Sequence, residues 1–564
     1  MAWTQPVDPC HNMPVSCAIA IVPVAVIFWA LVVRKIKGYH ASMLATAAAL
    51  FIAVVIYRMP VNLALLSAAN GAFYGLFPIC WIVFTAVFLF NITIRSGQFE
   101  IIRGFLAGIT ADRRIQALLI AFSFGSFLEG TAGFGAPVAI TAAMLTGLGF
   151  NPLYAAGLCL IANTAPVAFG SIGIPITVVA QVTSLPEHLI SQMVGRTLPF
   201  LSALLPFYLV ILMAGFRRTR EVAPAALVSG LTFAIIQYVT SNYLGPALPD
   251  ILAGIGSIFS LLVLLRFWKP RSVWKFPGEA TELALAQSNT RTRPPAESRV
   301  APSAHAARPA QLPEESHAAR PAQFPAESHV ARSRLLWAFS PFIALTLMVI
   351  TWGLAPVKDW LTNHGTAQFA FPTHVFKLNY LSAAGTAILL AAVISLLLSG
   401  LSARQGLQVL GATCKQLAYP ILSIAVVLAF AYLMNDSGIT ATIAHALADT
   451  GVLFPFFAPV LGWLGVFITG SDTSSNALFG KLQSATATSI GVDPLVTVGG
   501  NVSGGVIGKM ISPQSIAVAA AAGGLVGRES DLFRFTVRHS LILLFIVCCL
   551  VLAQAYLFKW MIPI

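Results

Sequence analysis

The sequence predicts an all-α polytopic membrane protein with about twelve transmembrane helices and two re-entrant hairpins, arranged as two inverted repeats. Three observations predict this fold: an apolar composition, apolar runs along the whole chain, and two similar segments that interrupt such runs. Hydrophobic residues make up 57% of the 564 residues and charged residues only 9%, whereas about a quarter of a soluble domain is charged. A soluble globular protein is therefore excluded.

The apolar runs have the length that a membrane crossing requires, which is about 17 to 25 residues for ~30 Å of hydrocarbon. The predicted crossings lie near residues 17–33, 41–57, 72–94, 153–184, 193–215, 222–240, 246–268, 335–355, 380–400, 417–434, 495–522 and 538–558. The first run is followed, not preceded, by its basic cluster. We therefore expect it to remain as a membrane anchor and not to be a cleaved signal peptide.

Two segments, 122–153 and 467–495, resemble each other and interrupt their apolar runs with glycine and polar residues. Both contain Gly-Ser near the start, Phe-Gly in the middle and Gly-x-Asn/Asp-Pro-Leu at the end. The matched positions, including two beyond these segments, are Gly125 with Gly470, Gly135 with Gly480, Pro152 with Pro494, Asn163 with Asn501, and Pro175 with Pro513. Ordered matches of this kind favour an internal duplication. Chance similarity between glycine-rich apolar segments is the alternative.

The distribution of Lys and Arg predicts that the two copies are inverted, because basic clusters mark cytoplasmic loops. The first hairpin follows Arg113 and Arg114 and enters from the inner side, whereas the second follows residues 435–449, which hold no Lys or Arg, and enters from the outer side. The predicted parts are a first repeat (1–216, hairpin about 115–150, broken helix about 153–184), a connecting helix pair (217–268), a linker (269–334) and a second repeat (335–564, hairpin about 452–490, broken helix about 495–522).

The linker has too little apolar content to form a core, and its Pro/Ala/Glu/Arg near-repeats predict a disordered cytoplasmic tether. Its basic residues, with those of the short loops, carry the net charge of +13, so cytoplasmic retention explains the charge better than nucleic-acid binding does. The seven cysteines are scattered without CxxC spacing. We therefore expect no metal site and no cofactor.

Inverted repeats with broken helices are typical of secondary transporters, whose substrate site lies near the bilayer midplane. Non-helical backbone at that depth needs protein or a water-filled cavity around its polar groups. We therefore expect hairpin tips at Gly125–Thr131 and Gly470–Asn476 to meet at a cavity, where the N-termini of half-helices favour an anion. For any single glycine or other small residue in these segments, close packing between helices is the alternative to a role at the cavity.

Four charged residues lie in the predicted hairpins and broken helices: Glu129, Asp472, Lys481 and Lys509. A charge at the bilayer centre costs about 2.5 to 3.5 kcal/mol on insertion scales, which indicates function. Burial favours the neutral acid, so Glu129 and Asp472 are candidates for the proton-coupling carboxylate. Lys481 or Lys509 would then contact the substrate carboxylate. A structural ion pair between the repeats is the alternative.

Polar residues at the breaks are the other candidate contacts for a bound anion. The full set of predicted substrate-binding residues is Ser126, Thr131, Asn163, Ser474, Ser475, Asn476, Lys481, Asn501 and Lys509. A small anion needs a cation or N–H cluster for its carboxylate and hydrogen-bonding partners for its other polar groups, and these residue types offer both.

The segments GSFLEGTAGFGAPVAI from Gly125, IANTAPVAFGSIGIPI from Ile161, GSDTSSNALFGKLQ from Gly470 and GGNVSGGVIGKMISPQSIA from Gly499 resemble the bacterial L-lactate permease family. The resemblance covers nearly the whole chain and departs at about 280–332, which looks like an insertion. It implies a proton-coupled importer of L-lactate, D-lactate and glycolate in a bacterial inner membrane. It supplies no residue-level site.

Other functions remain as alternatives. Sodium coupling is the closest, because unwound backbone carbonyls can hold Na⁺. A channel would use similar re-entrant loops but needs a continuous pore. An enzyme would require a metal or nucleophile motif, and the sequence holds no HExxH and no GxSxG. The sequence does not distinguish a monomer from a homodimer.

Overall fold

The computed structural model describes residues 5–34, 36, 38–133, 135–276, 332–370, 375–525 and 528–564. The described chain is built almost entirely from helices. Up to residue 267, the α-helices are Met13–Phe28, Gly38–Val55, Val61–Tyr74, Trp81–Arg95, Gln98–Ala107, Arg113–Ala117, Gly125–Thr131, Ala136–Gly147, Pro152–Ala162, Gly170–Thr183, Glu187–Thr219, Ala223–Tyr243 and Pro249–Phe267.

After residue 331 the α-helices are Arg332–Gly353, Ala355–His364, Ala384–Leu398, Ala403–Asp436, Ile439–Ala448, Phe454–Thr469, Asp472–Ser489, Pro494–Gly508, Pro513–Gly523 and Glu529–Tyr556. Wider π-helical turns occupy Trp29–Val33, Gly75–Cys80 and Leu118–Phe124. Short 3₁₀ turns occupy Val167–Phe169, Arg220–Val222, Gly451–Leu453, Lys509–Ile511 and Lys559–Met561.

The structure corrects the all-α prediction at one place. Strands Thr366–Ala370 and Val375–Asn379 pair antiparallel, with Thr366 opposite Asn379. The residues of these strands alternate between polar and apolar over short runs, which is the period of a strand and not of a helix.

Within the described residues, seven helical segments are long and apolar enough to cross a membrane. Helix Pro152–Ala162 and the following segment Val167–Thr183 form a bent pair at 65°, which raises the number to eight. Five further apolar helices have only 10–17 residues. The membrane-spanning architecture is therefore present, and the count of twelve crossings stays a prediction.

Helices Phe454–Thr469 and Pro494–Gly508 pack backbone against backbone through glycine. A Cβ atom at Gly504 would lie 1.9 Å from the carbonyl oxygen of Pro459, and one at Gly462 would lie 1.9 Å from that of Asn501. No larger residue fits at either contact. The packing interpretation holds for these two glycines, which bring the second hairpin against the second broken helix.

The base of the first hairpin is held by a buried charge cluster. Arg114 donates to Asp112 at 2.7 Å and to Glu221 at 2.9 Å, and the hydrogen bond from Arg114 lowers the pKa of Glu221. The Trp274 amide donates to Asp112 Oδ2 at 3.1 Å. The first residues of the predicted linker, up to Phe276, are thus packed against the hairpin base, and the next helix begins at Arg332. The rest of the predicted linker, 277–331, lies outside the described residues.

Candidate functional site

The first hairpin turns later than the sequence predicted. Its first arm is helical from Arg113 to Thr131, with one π-helical stretch, and the second arm is Ala136–Gly147. The turn between them contains Gly133 at φ 58° and Gly135 at φ 85°, a left-handed backbone that favours glycine. The predicted tip Gly125–Thr131 is therefore wrong, because its residues are all helical.

The second hairpin turns at the start of the predicted segment. Gly470, at φ 72°, ends helix Phe454–Thr469, and the Ser471 side chain caps helix Asp472–Ser489 by accepting from the Ser474 amide. Asp472 and the residues up to Asn476 lie in the first turns of that second arm. The helix N-terminus therefore points its partial positive charge at this tip.

The first broken helix unwinds over residues 163–173. Ser171 and Ile172 are left-handed at φ 47° and 62°, conformations that cost of order 1–3 kcal/mol each for residues other than glycine and that cluster at functional sites. The Ser171 hydroxyl donates to the carbonyl of Ala132 at 3.2 Å. This bond ties the first break to the first hairpin tip.

The second broken helix is interrupted by the 3₁₀ turn Lys509–Ile511. The Ser512 side chain then caps helix Pro513–Gly523 by accepting from the Ser515 amide at 3.2 Å, as expected of a serine directly before a proline at the first helical position. The side chain of Gln514 lies against Gly470, where a Cβ atom would come within 2.3 Å of its Oε1. The second break is thus packed on the second tip.

Both tips and both breaks line one cavity of about 60 Å³. A single water needs roughly 10–15 Å³ by the same measure. The lining residues are Glu129, Gly135, Val167, Gly170, Ser171 and Pro175 from the first half, and Gly470, Ser471, Asp472, Thr473, Lys509, Gln514, Ser515 and Val518 from the second. Three of the four predicted charges therefore meet at this cavity.

An ion pair crosses the cavity wall between the two halves. Lys509 Nζ lies 2.5 Å from Glu129 Oε1, and the two residues are only 9% and 2% exposed. Gly170 makes room for the carboxylate, since a Cβ atom there would lie 2.8 Å from Glu129 Oε1. The other oxygen, Glu129 Oε2, accepts no hydrogen bond from a described residue.

Asp472 reaches the same cavity in a different setting. Its Oδ2 accepts from the side-chain amide of Asn476 at 3.4 Å. Its Oδ1 has no hydrogen-bonding partner among the described residues. Gly505 leaves the space that Oδ1 occupies, because a Cβ atom there would lie 2.1 Å away. Asp472 is therefore less strongly paired than Glu129.

The predicted amides Asn476 and Asn501 are joined in one buried network. Asn501 donates to Asn476 Oδ1 at 2.9 Å and accepts from Gln483 at 3.2 Å. Asn476 also donates to the carbonyl of Pro175 at 3.2 Å, a bond from the second hairpin to the first broken helix. These amides position the arms around the cavity and do not line it.

The predicted hydroxyl groups are used in different ways. Thr131 donates to the carbonyl of Phe127 at 3.1 Å, and Ser475 to that of Gly462 at 3.0 Å. The Ser474 amide takes part in the Ser471 cap. The Ser126 hydroxyl is buried and has no hydrogen-bonding partner among the described residues.

Two predicted residues lie in other surroundings. Both side-chain polar atoms of Asn163, at the first break, are buried without a partner among the described residues. Lys481 lines a separate cavity of about 650 Å³, together with Glu187 and Asp436. The structure therefore does not bring Lys481 into the central cavity.

Sequence reasoning missed Asp250, a buried carboxyl group in the first turn of helix Pro249–Phe267. Residues 242–250 hold no Lys or Arg, which favours an outer loop for Asp250. Glu129 and Lys509 both act on it electrostatically. The available signal was its position at the start of an apolar helix, where burial is decided by packing that the sequence does not reveal.

Similarity to known proteins extends over nearly the whole chain. The family model described as L-lactate permease matches residues 16–558. An L-lactate permease of Bacillus subtilis (strain 168) is 50% identical, with 100% of both chains covered. Glycolate permease GlcA of Escherichia coli (strain K12) is 46% identical, with 100% of this chain and 99% of that protein covered.

Among solved structures, the Alcanivorax borkumensis YdaH transporter is 13% identical with a TM-score of 0.45, covering 89% of this chain and 90% of that chain. The family assignment rests on the sequence matches, which extend over nearly all of the chain. This multi-pass membrane chain belongs to the L-lactate permease family.

Proposed function

We propose that this chain is a secondary active transporter that imports L-lactate and related 2-hydroxymonocarboxylates, D-lactate and glycolate, by proton symport in a bacterial inner membrane. The observation that carries the proposal is the ion pair between Lys509 and Glu129 in the wall of the central cavity. The names of the relatives, L-lactate permease and glycolate permease, support the substrate class.

The ion pair suggests how an anion and a proton become coupled. Lys509 is the proposed contact for the substrate carboxylate. In this structure Lys509 is paired with Glu129. Removing one partner of a buried pair leaves the other charge uncompensated, which costs about 3–5 kcal/mol. When the anion takes Lys509, Glu129 must therefore bind a proton. One anion is then accompanied by one proton, and the charge of the site does not change.

The 2-hydroxyl group of the substrate needs hydrogen-bonding partners of its own. The proposed contacts beyond Lys509 are Ser126 and Asn163, whereas Thr131, Ser474, Ser475, Asn476 and Asn501 take part in bonds that hold the arms in place and Lys481 lines a separate cavity. Ser126 and Asn163 have unused hydrogen-bonding capacity in a buried setting, which in native proteins calls for a water, ion or ligand. Asp472 is the alternative candidate for the proton-coupling carboxylate.

Alternating access in this proposal uses two inverted repeats, 1–216 and 335–564, within twelve crossings. Each repeat contributes one hairpin tip and one broken helix to the cavity wall, which is the arrangement that inverted-repeat transporters use at their substrate site. The connecting pair 217–268 and the linker join the two repeats on the inner side.

Substituting Glu129→Gln tests the coupling. We expect lactate counterflow to persist in proteoliposomes, because glutamine mimics the neutral acid, while accumulation driven by a pH gradient falls at least tenfold. Glu100→Gln, which removes a half-exposed carboxylate paired with Arg103, is the control. Unchanged pH-driven accumulation in Glu129→Gln would reject the coupling role.

Sodium coupling is the second candidate, because Asn163 and Thr164 place buried oxygen atoms without partners at the unwound first break. Carbonyl and side-chain oxygens at such breaks can hold Na⁺. Uptake into sodium-free proteoliposomes under an imposed proton gradient separates the two. Concentrative uptake there supports proton symport, and uptake that requires sodium replaces it with the sodium mechanism.

A further inference from the structure

Asp250 is a buried carboxyl group that takes no part in the proposed replacement of Glu129 by the substrate carboxylate at Lys509. It is 1% exposed, and neither of its oxygens accepts a hydrogen bond from a described residue. An isolated ionised carboxylate in an apolar setting is so costly that such groups bind a proton instead. In this state of the protein, Asp250 therefore holds a proton.

Packing places Asp250 against the helical turn that carries Glu129. Gly130 follows Glu129 in the first hairpin, and a Cβ atom at Gly130 would lie 2.9 Å from Asp250 Cβ. The same two helices touch again at Gly254, where a Cβ atom would lie 2.7 Å from the amide nitrogen of Phe127. Only glycine at these contacts lets the helix of Asp250 approach the helix of Glu129 so closely.

The charged groups that act on Asp250 are Glu129 and Lys509, and the polar side chain beside it is Gln237. Lys509 is engaged by Glu129 Oε1, so it does not neutralise Asp250. Glu129 Oε2 remains buried without a partner. The free oxygen of Glu129 is therefore available to a proton that comes from Asp250.

Asp250 is not among the residues that line the central cavity, and it follows the loop 243–247 closely in the chain. The loop immediately before its helix contains the exposed residues Tyr243 and Leu244. Farther along this loop, the carbonyl of Pro246 packs on Gly173, where a Cβ atom would lie 2.4 Å from it. Asp250 thus contacts the helical turn after Glu129 on one side and follows a partly exposed loop in the chain, outside the cavity lining.

We propose that Asp250 is a proton relay residue that delivers the coupled proton from the surface at loop 243–247 to Glu129 Oε2. The inference rests on the proposed function. As the substrate carboxylate takes Lys509, the O–H bond of Asp250 breaks and an O–H bond forms on Glu129. Asp250 then recovers a proton from water at the loop. The anion and the proton reach the ion pair from different sides.

The test is Asp250→Asn, measured in proteoliposomes by two assays. Lactate counterflow at equal pH on both sides does not require proton delivery, and we expect it within twofold of the wild type. The initial rate of uptake driven by a pH gradient is expected to fall at least tenfold. Asp250→Glu, which retains a carboxyl group, should recover part of the pH-driven rate.

Asp436→Asn is the matched control, because Asp436 is a partly buried carboxylate that accepts from Ser67 at 2.6 Å outside the central cavity. Equal pH-driven rates for wild type and Asp250→Asn would overturn the relay. Loss of counterflow together with uptake would also overturn it, because it would show a structural role. If the wild type itself shows no pH-driven uptake, the proposed proton symport fails instead.

Discussion

The two hairpins match in sequence but turn at different points of that match. Gly125 and Ser126 lie inside a helix, whereas their counterparts Gly470 and Ser471 form the turn and the helix cap. Glu129 therefore precedes its tip, and Asp472 follows its tip. Two similar segments thus carry two carboxylates that approach one cavity from opposite arms, one in an ion pair and one held by a side-chain amide at a helix N-terminus.

The largest expected effect comes from removing the cation of the ion pair. Lys509→Met leaves Glu129 buried without its partner, so we expect lactate uptake to fall more than a hundredfold and stability to fall by about 3–5 kcal/mol. Combining it with Glu129→Gln should restore stability but not uptake. Uptake assays and thermal unfolding measure the two effects.

Lys415→Gln, which removes an exposed lysine, is the control for charge. Near-normal uptake in Lys509→Met would show that the ion pair is structural, and would remove the main difference between the two hairpins.

A second prediction compares the two glycines that make room for the carboxylates. Gly170→Ala would press on Glu129 Oε1, and Gly505→Ala would press on Asp472 Oδ1. We expect Gly170→Ala to lower uptake about tenfold, because it disturbs the pair that exchanges partners, and Gly505→Ala to have a smaller effect on the rate. Initial uptake rates measure both.

Gly411→Ala is the control, because Gly411 lies within a helix and a Cβ atom there meets nothing within 4 Å. A larger loss in Gly505→Ala than in Gly170→Ala would reverse the order of importance of the two carboxylates.

The third prediction concerns proton binding at the two carboxylates. Asp472→Asn should keep most of its pH-driven accumulation, within about threefold of the wild type, because Asp472 has no cation to release when the anion arrives. Glu129→Gln should lose it. Accumulation ratios at a fixed pH gradient make the comparison, and equal losses would give both carboxylates the same role.

The smallest expected effect is on stability, and it distinguishes the Gly125-Ser126 pair from the Gly470-Ser471 pair. Ser471→Ala removes a helix cap and should cost about 1 kcal/mol of stability, whereas Ser126→Ala removes no cap and should cost less. Thermal unfolding of the two variants checks this. A larger cost for Ser126→Ala would show that the sequence match predicts structural roles after all.

The sequence predicted site residues best where placing a residue type in the membrane costs much free energy. Glu129, Asp472 and Lys509 stood out because charges are expensive there, and the structure places all three on one cavity. The Ser512 cap followed from its position before Pro513. The turn of the first hairpin could not be predicted, because Gly125 and Gly130 are compatible with both helix and turn, and only the left-handed backbone of Gly133 and Gly135 distinguishes them.

Distance along a helix and packing between helices explain the remaining differences between the predicted and the observed site. Lys481 lies nine residues after Asp472 on the same helix, which is about 13 Å at 1.5 Å per residue, too far to share the cavity. Asp250 is buried by contacts with a helix more than a hundred positions away in the sequence. A single sequence carries no direct signal for such a contact.

The tip and the break of each half pack together as one body. The hydroxyl of Ser171 ties the first tip to the first break, and Gln514 packs on the second tip. Two bridges span the seam between these bodies, Glu129 with Lys509 and Asn476 with the carbonyl of Pro175. In the proposed mechanism, rocking of one body against the other would stretch both contacts, so ligand exchange at Lys509 would also break one of the two bonds that hold the bodies together.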